Sequence, residues 1–176
     1  MPEPYESFES WYRATHRGMV SSLTLVAGDV ELATEATDEA FVRALERWAR
    51  VDMMVSPTGW VYQVALNYLR RRARRSIRER VLLAGVGETA PPPDWSIELW
   101  DAVRSLPTRE RTAIVLRYVA DLSTDEIAHA MEIRPGTVGS TLSSARAKLA
   151  RSLGEQSPAA TADLAGVGDS TEDDDG

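Results

Sequence analysis

The stretch that decides the fold spans residues 122–149 and reads LSTDEIAHAMEIRPGTVGSTLSSARAKL. Ser123 precedes an apolar helical pattern and Glu126 follows three residues later, which is the spacing of a capping box and predicts a helix start. Pro135 stands where a second helix begins, the position at which a missing N–H costs no hydrogen bond. Val138 and three further apolar residues follow at spacings of 4, 3 and 4, so one stripe of this helix is predicted to be buried. Two short helices with so tight a turn predict a helix-turn-helix, whose second helix lies in the DNA major groove.

The outward side of the second helix distinguishes DNA binding from an ordinary αα-hairpin in a helical core, which the spacing alone fits equally well. Opposite the buried stripe lie small or weakly polar residues with two cations at the flanks: Gly136, Ser140, Ser143, Ala147, Arg146 and Lys148. Such a face allows a helix to approach a DNA groove closely. It favours the helix-turn-helix, and the hairpin remains the alternative.

Charge is sorted along the 176 residues, although the formal total of −7 is unusual for a protein that binds nucleic acid. Residues 61–80 carry a net charge of +6, and residues 104–153 carry +3. Residues 1–60, 81–103 and 154–176 carry −5, −4 and −7. The acidic total therefore conceals two basic segments that suit contacts with phosphate.

The residue types exclude several classes of protein. There is no cysteine, so disulfides, a thiol nucleophile and cysteine zinc sites are impossible. His16 and His129 lie far apart without a metal-binding pattern. Because the sequence also lacks a nucleophile–base pair and a phosphate loop, we expect no catalytic residue, metal or cofactor. No run approaches the roughly 18 apolar residues of a membrane span and the N-terminus is too acidic for a signal peptide, which predicts a soluble cytoplasmic protein.

Two helices are predicted in the first third of the chain, over about residues 5–27 and 31–50. The second helix has an apolar face and a charged face that includes Glu35, Asp38 and Glu39. A charged face of this kind is most often solvated surface. That interpretation remains the alternative to a role in binding.

A third helix is predicted over about residues 58–80, after a loop with two methionines that we expect to be exposed. Ser56 and Pro57 have the chemistry of an N-cap and a first helical residue. The helix opens with apolar residues and then carries seven arginines in eleven residues: Arg70, Arg71, Arg72, Arg74, Arg75, Arg78 and Arg80. Arginine suits phosphate contacts. A disordered basic tether is the alternative, but the apolar residues leading into the run favour a helix.

The remainder of the chain predicts a linker, a second helical unit and a tail. Two glycines and three consecutive prolines indicate an extended linker, and helices over about residues 95–106 and from Pro107 lead into the helix-turn-helix. The residues after Leu153 are mostly small, polar or acidic and cannot bury enough apolar surface to fold. The predicted fold is all-α, with domains at 5–81 and 94–153, a linker at 82–93 and a disordered acidic tail at 154–176.

The two halves together resemble the bacterial extracytoplasmic-function sigma factors, group IV of the sigma-70 family, which keep only the second and fourth sigma domains. In the second half the resemblance rests on Leu106-Pro107, Arg111, Leu116-Arg117-Tyr118, Leu122-Ser123, Glu126-Ile127-Ala128 and Gly136-Thr137-Val138. In the first half it rests on Glu39-Ala40-Phe41, Trp48, Pro57, Trp60-Val61, Val64-Ala65 and Asn67. These residues cover roughly 5–153 in the family's order.

The resemblance implies a promoter-specificity subunit of RNA polymerase that is not itself an enzyme. Its implied partners are promoter DNA, the polymerase core through the largest-subunit coiled coil and the flap, and an anti-sigma factor. The coiled coil would be bound by Glu35, Asp38 and Glu39. The non-template strand of the −10 element, with the duplex upstream, would be bound by Trp60, Asn67, Arg70, Arg71, Arg74 and Arg75. The −35 element would be read by Arg134, Thr137, Ser140, Arg146 and Lys148.

Two features depart from the family pattern. Gly139, Thr141 and Ser144 stand where most relatives have basic residues. Each lost phosphate contact reduces affinity, so we expect −10 recognition to dominate promoter choice. Glu132 occupies a turn position usually given to glycine, and a positive φ there would cost about 1 kcal/mol.

Two other functions fit parts of the sequence. A free-standing helix-turn-helix regulator is one, but it has no need of the single-strand reader predicted around residues 60–80. A sigma-like interaction scaffold, such as a sink for an anti-sigma factor, fits the missing basic residues of the recognition helix. The tail is predicted either to compete with DNA for the basic surface at low salt or to act only as a solubilising extension.

Overall fold

The computed structural model describes residues 7–79 and 96–156, and every regular element within these two ranges is an α-helix. The helices are α1 (Phe8–Ala27), α2 (Val30–Glu46), α3 (Trp48–Val51), α4 (Pro57–Glu79), α5 (Ile97–Ser105), α6 (Thr108–Tyr118), α7 (Thr124–Met131) and α8 (Pro135–Gln156). The predicted all-α fold is confirmed. The predicted linker and the predicted tail beyond residue 156 lie outside the described residues. None of the described helices combines the length and apolar character that crossing a bilayer requires.

The first half of the molecule, α1–α4, is built around α2, against which α1 and α4 both pack. The face that α2 buries consists largely of alanines, and these small side chains allow both neighbours to approach closely: Ala33, Ala36, Ala40 and Ala44. An aromatic cluster closes one end of this core. The ring centroid of Trp11 lies 5.0 Å from those of Phe41 and Trp48. Because Trp11 is fully buried, its truncation to alanine is expected to cost about 3–5 kcal/mol.

The turns of the first half follow from single residues. Gly28 ends α1 in the left-handed conformation with φ 72°, which glycine adopts without strain. The side chain of Asp29 accepts a hydrogen bond from the Leu32 N–H at 3.0 Å and caps α2. α2 ends at Glu46, earlier than the predicted residue 50, because Arg47 leaves the helical conformation (φ −125°, ψ 21°) before the short α3 begins.

The loop between α3 and α4 matches the sequence prediction except at one methionine. Met53 is 87 % exposed, as predicted. Met54 is instead partly buried, because its side chain packs against the apolar core. Pro57 is the first residue of α4, and the Ser56 Oγ caps the helix by accepting from the Gly59 N–H at 2.9 Å.

In the second half, α5–α8, the predicted helix-turn-helix is formed by α7 and α8. Ser123 and Glu126 form the capping box, with Ser123 N–H donating to Glu126 Oε2 at 2.8 Å and Glu126 N–H donating to Ser123 Oγ at 3.3 Å. Glu132, in the turn, is left-handed with φ 58° and ψ 45°, a conformation that costs a residue with a side chain about 1–2 kcal/mol. α8 begins at Pro135 and continues to Gln156, past the predicted end at residue 153.

The two halves pack against each other through α4 on α7 and α1 on α6. Their buried apolar residues form one continuous core. Across the contact, the Ser56 hydroxyl donates to Glu126 Oε1 at 2.7 Å. A Cβ atom placed on Gly59 would lie 2.9 Å from the Ser56 Oγ and 3.6 Å from the Glu126 Cα, so glycine leaves room for the capping hydroxyl at the point where α4 and α7 approach each other.

Candidate DNA- and polymerase-binding surfaces

The outward side of α8 has the composition that a groove-binding helix needs. Val138, Leu142 and Ala145 are buried and hold α8 against the rest of the second half. On the opposite side, four small residues are exposed and form what we call the recognition face: Gly136, Ser140, Ser143 and Ala147. No long side chain stands on this face, so the helix backbone can approach DNA closely.

The predicted −35 residues differ in whether their polar groups already form hydrogen bonds within the protein. Arg134 is exposed at the start of α8. The Ser140 hydroxyl donates back to the Thr137 carbonyl at 3.0 Å. The Arg146 Nε donates to the Tyr118 hydroxyl at 2.8 Å, and its guanidinium lies 5.8 Å from the centroid of that ring. Arg146 is therefore oriented by Tyr118, a residue that carries the family resemblance but was not among the predicted −35 residues.

Lys148 is the most restrained member of the predicted set. Its Nζ donates to both carboxylate oxygens of Glu110, at 2.8 and 2.7 Å. The Ser144 hydroxyl donates to the same carboxylate at 2.8 Å. The hydrogen bonds from Lys148 and Ser144 lower the pKa of Glu110, so the carboxylate stays ionised and neutralises the lysine locally.

Two arginines that carry the family resemblance have structural contacts. Arg111 donates from Nη1 to the Arg104 carbonyl at 2.9 Å, its Nε is buried without a hydrogen-bond partner among the described residues, and burial lowers its pKa. Arg117 donates to the Leu122 carbonyl at 3.0 Å and so ties the end of α6 to the start of the helix-turn-helix. Neither side chain is arranged primarily for DNA.

A basic cleft of about 590 Å³ lies along α4 and holds most of the predicted −10 residues. Its lining comprises Arg43, Arg47, Trp60, Gln63, Val64, Asn67, Arg70, Arg71, Arg74 and Glu132. Five of the six predicted residues are in this set, and the sixth, Arg75, lines a smaller neighbouring cleft of about 260 Å³. The sequence analysis did not predict that Arg43, Arg47 and Glu132 line this cleft, because they come from other elements and only the fold brings them to α4.

Hydrogen bonds inside the basic cleft orient its cations. Arg70 Nη1 donates to Asn67 Oδ1 at 2.8 Å, and Arg71 Nε donates to the Asn67 carbonyl at 3.2 Å. Asn67 thus accepts hydrogen bonds from two arginines and fixes their positions in the cleft. A wall of arginines next to the partly buried indole of Trp60 suits single-stranded nucleic acid, which combines phosphates with stacking bases.

The acidic residues predicted to bind polymerase share one face of α2, but each has a partner within the chain. Asp38 Oδ1 lies 2.8 Å from His16 Nε2, and Glu39 accepts from Arg43 at 2.6 Å. Glu35 lies 3.6 Å from Arg72 Nη2 and accepts from the Tyr68 hydroxyl at 3.2 Å. Exposed pairs of this kind contribute little stability, so a partner's cations can replace them.

Two apolar residues extend the acidic face of α2. Val42 is 54 % exposed and Leu45 is 57 % exposed, and their helical spacing from Asp38 places them on the same side. The sequence interpretation missed them because an isolated Val or Leu in a helix normally predicts burial. Acidic and apolar residues together on one exposed helix face are typical of a protein-binding surface.

The helix-turn-helix and the basic cleft together define a promoter-binding protein of the sigma-70 class, and the comparisons with known proteins agree. Residues 96–149 match the family model for sigma-70, region 4. The ECF RNA polymerase sigma factor SigW of Bacillus subtilis is 30% identical over 145 residues, which cover 72% of this chain and 78% of SigW. The RNA polymerase sigma-E factor of Streptomyces coelicolor is 27% identical over 153 residues, which cover 83% of this chain and 85% of the relative.

A solved structure has the same fold. The sigma factor RpoE of Bartonella quintana, in complex with the anti-sigma factor NepR, superimposes with a TM-score of 0.73 over 85% of this chain and 98% of RpoE, at 17% identity. The chain belongs to the extracytoplasmic-function sigma factors of the sigma-70 family. It is a sigma factor that directs RNA polymerase to promoters and initiates transcription there.

Proposed function

We propose that the basic cleft of α4 binds the −10 element and that the recognition face of α8 binds the −35 element. The observation that carries the proposal is the convergence of five of the six predicted −10 residues on one cleft. The functional units are accordingly residues 5–81 for polymerase and −10 binding and residues 94–153 for −35 binding. The linker 82–93 and the tail stand outside both units.

The −10 contact supplies most of the promoter specificity. The −35 set has one lysine neutralised by Glu110, and it lacks basic residues at 139, 141 and 144. The basic cleft concentrates five arginines around Trp60 and Asn67. Each phosphate contact adds affinity and salt dependence, so loss of the −10 contacts has the larger effect.

Run-off transcription with core RNA polymerase, on promoters selected from a randomised library, tests the assignment. Scrambling the −10 element is expected to abolish the product, whereas scrambling the −35 element reduces it. Asn67→Ala and Arg74→Ala should each lower the product about five- to tenfold, in line with about 1–3 kcal/mol for a base contact. Arg17→Ala is the matched control, because Arg17 is exposed on α1 and does not line the cleft. Equal losses in all three variants would contradict the cleft assignment.

A second part of the proposal concerns the partners. The polymerase core binds the acidic face of α2, extended by Val42 and Leu45, and the protein acts in the cytoplasm without catalytic residues of its own. An anti-sigma factor regulates it, as the solved complex of RpoE with NepR suggests for a related fold. A cleft of about 570 Å³ between the halves, lined by apolar residues and by Arg70, Arg109 and Arg111, fits an acidic amphipathic segment of that partner.

Binding of a co-purified anti-sigma partner tests this last point. Arg109→Glu is expected to weaken the complex at least tenfold, because a like charge would then face the acidic segment. Arg17→Glu makes the same charge change on α1 and should leave the affinity unchanged. An equal loss in both variants would indicate general electrostatics rather than the cleft.

A further inference from the structure

Glu132 combines an unusual backbone conformation with a position at the contact between the two halves. It has a side chain, yet φ is 58°, in the region that favours glycine. Non-glycine residues in such conformations concentrate at functional sites and switch regions. The position therefore needs an explanation in terms of what the glutamate side chain does.

The carboxylate of Glu132 reaches out of the helix-turn-helix into the basic cleft of α4. Its Oε2 accepts from Arg70 Nη1 at 3.0 Å, and its Oε1 accepts from Gln63 Nε2 at 3.2 Å. Arg70 Nη2 also donates to the Met131 carbonyl at 3.2 Å. Among the residues that line the basic cleft, Glu132 is the one acid, and it comes from the opposite half of the molecule.

The hydrogen bond between Ser56 and Glu126 places α7 against the same side of α4. It lies at the beginning of α4, and the close approach at Gly59 lies within one turn of it. Gln63 and Arg70 continue along that side at helical spacing. α7 and the turn after it therefore cover α4 from its N-terminus to Arg70.

We propose that Glu132 is an intramolecular latch: its carboxylate occupies the position of a DNA phosphate at Arg70 and holds the two halves closed over the −10 reader. The inference rests on the proposed assignment of the basic cleft to −10 DNA. In the closed form Glu132 occupies the Gln63 amide and one Arg70 donor, and the Met131 carbonyl occupies another, so a DNA phosphate can take these donors only after Glu132 has left them. Promoter binding requires the halves to separate, and the apparent affinity is reduced by the fraction of molecules that are open.

The absence of cysteine from the chain permits a direct measurement of opening. Ser10→Cys and Ala150→Cys place two fluorophores at exposed positions, one in each half, and single-molecule energy transfer reports the distance between the halves. Glu132→Gln should raise the open-to-closed ratio about two- to fivefold, the range for one exposed ion pair. Glu132→Asn, a residue that tolerates positive φ but is too short to span the same contact, should do the same.

Asp125→Asn is the matched control. It removes one negative charge from α7 at an exposed position, and no hydrogen bond or ion pair joins Asp125 to the described residues of α4. The open-to-closed ratio of this variant is expected to equal that of the unaltered protein. An unchanged ratio in both Glu132 variants would overturn the latch, as would an equal shift in Asp125→Asn.

DNA binding separates failure of the latch from failure of the −10 assignment. The probe is a fluorescein-labelled single strand of about twelve mixed-sequence nucleotides, measured by anisotropy. Glu132→Gln should bind it two- to fivefold more tightly than the unaltered protein, and adding Asn67→Ala should remove that gain. Suppose that Glu132→Gln opens the molecule but that adding Asn67→Ala to it leaves the DNA affinity unchanged. The −10 assignment and the competition are then both overturned. If the affinity rises without any opening, the latch is overturned while the −10 assignment stands.

Discussion

At the scale of single residues, the cations of the second half divide according to what holds them. Arg134 is exposed at the start of α8, whereas Lys148 lies within 2.8 Å of both oxygens of Glu110. Counting charges along the sequence treats the two as equal. The fold makes them different, because Glu110 is 38 residues away and meets Lys148 only when α6 packs on α8.

The salt dependence of DNA binding should reveal this difference. Arg134→Ala is expected to reduce the slope of log affinity against log salt concentration by about 0.9, the value for one lost phosphate contact. The double variant Glu110→Ala/Lys148→Ala removes a pair of zero net charge and should leave the slope nearly unchanged. Titration of promoter DNA at several salt concentrations measures both. A slope reduced equally in the two variants would show that Lys148 contacts phosphate despite its carboxylate partner.

Tyr62 gives a second residue-scale prediction. Burial raises its pKa to about 12, although the hydrogen bond with Ser22 acts in the opposite direction. A proton held more tightly in the folded state stabilises the protein below the ordinary pKa of 10.0, and this contribution is lost as the pH rises from 10 towards 12. We expect Tyr62→Phe to cost about 1 kcal/mol at neutral pH through the lost hydrogen bond. The variant should also lose less stability than the unaltered protein between pH 9 and 11, as measured by urea unfolding.

At the scale of elements, α2 has a buried face that organises the first half and an exposed face that we propose binds polymerase. Its alanines hold α1 and α4 together, while its outer face presents acids next to Val42 and Leu45. We expect Val42→Ser/Leu45→Ser to weaken co-purification with core polymerase about tenfold or more, because these residues supply the apolar part of the contact. Ile97→Ser is the control, since Ile97 is 68 % exposed on α5, in the other half of the molecule. Full retention of polymerase by the double variant would remove these two residues from the interface.

Glu126, near the start of α7, leads to a prediction about the stability of the protein at acidic pH. Burial raises the pKa of Glu126, but hydrogen bonds from Ser56 and Ser123 outweigh that effect and leave the pKa below its ordinary value of 4.5. A lowered pKa in the folded state stabilises the protein above pH 4.5, and the contribution is lost as the pH falls through the lowered value. Glu126→Gln should therefore destabilise the protein by about 1 kcal/mol at pH 7.

The same variant should differ less from the unaltered protein as the pH falls from 4.5 through the lowered pKa, because Glu126 then becomes protonated and, like glutamine, carries no charge. Urea unfolding at pH 7 and near pH 4 measures the two differences. Asp125→Asn is a suitable control, since Asp125 lies next to Glu126 in the sequence but outside the capping box. A difference that stays constant with pH would mean that the charge of Glu126 contributes nothing.

At the scale of the whole molecule, the sequence predicted what depends on local pattern and missed what depends on assembly. Helical periodicity, Pro135 and the capping box of Ser123 are local signals, and the structure confirms the helix-turn-helix that they predict. The contact between the halves joins residues 62 and 70 positions apart, and no local signal marks it. The sequence marked Glu132 only as a glutamate in a turn position that favours glycine. It could not predict the contact with Arg70, because Arg70 lies in the other half of the molecule.

The effect of the acidic tail on DNA binding is the last prediction at this scale. Residues 157–176 carry six acids and no base, and they follow directly on α8 with its recognition face. A random chain of twenty residues spans roughly 25 Å, enough to bring these acids to the basic surfaces. We predict that the tail competes with promoter DNA at low salt, where charges interact over more than the roughly 8 Å of physiological screening.

Promoter affinity of the full chain should be compared with that of a protein ending at Gln156, where α8 ends, at about 50 and 200 mM salt. The shortened protein is expected to bind more tightly at low salt, and the gap should close at higher salt because screening removes the competition. A full-length variant with the six tail acids changed to Asn or Gln is the control for length. It should behave like the shortened protein, since competition depends on charge rather than on the chain itself. Equal affinities of all three proteins at low salt would leave the tail with a solubilising role alone.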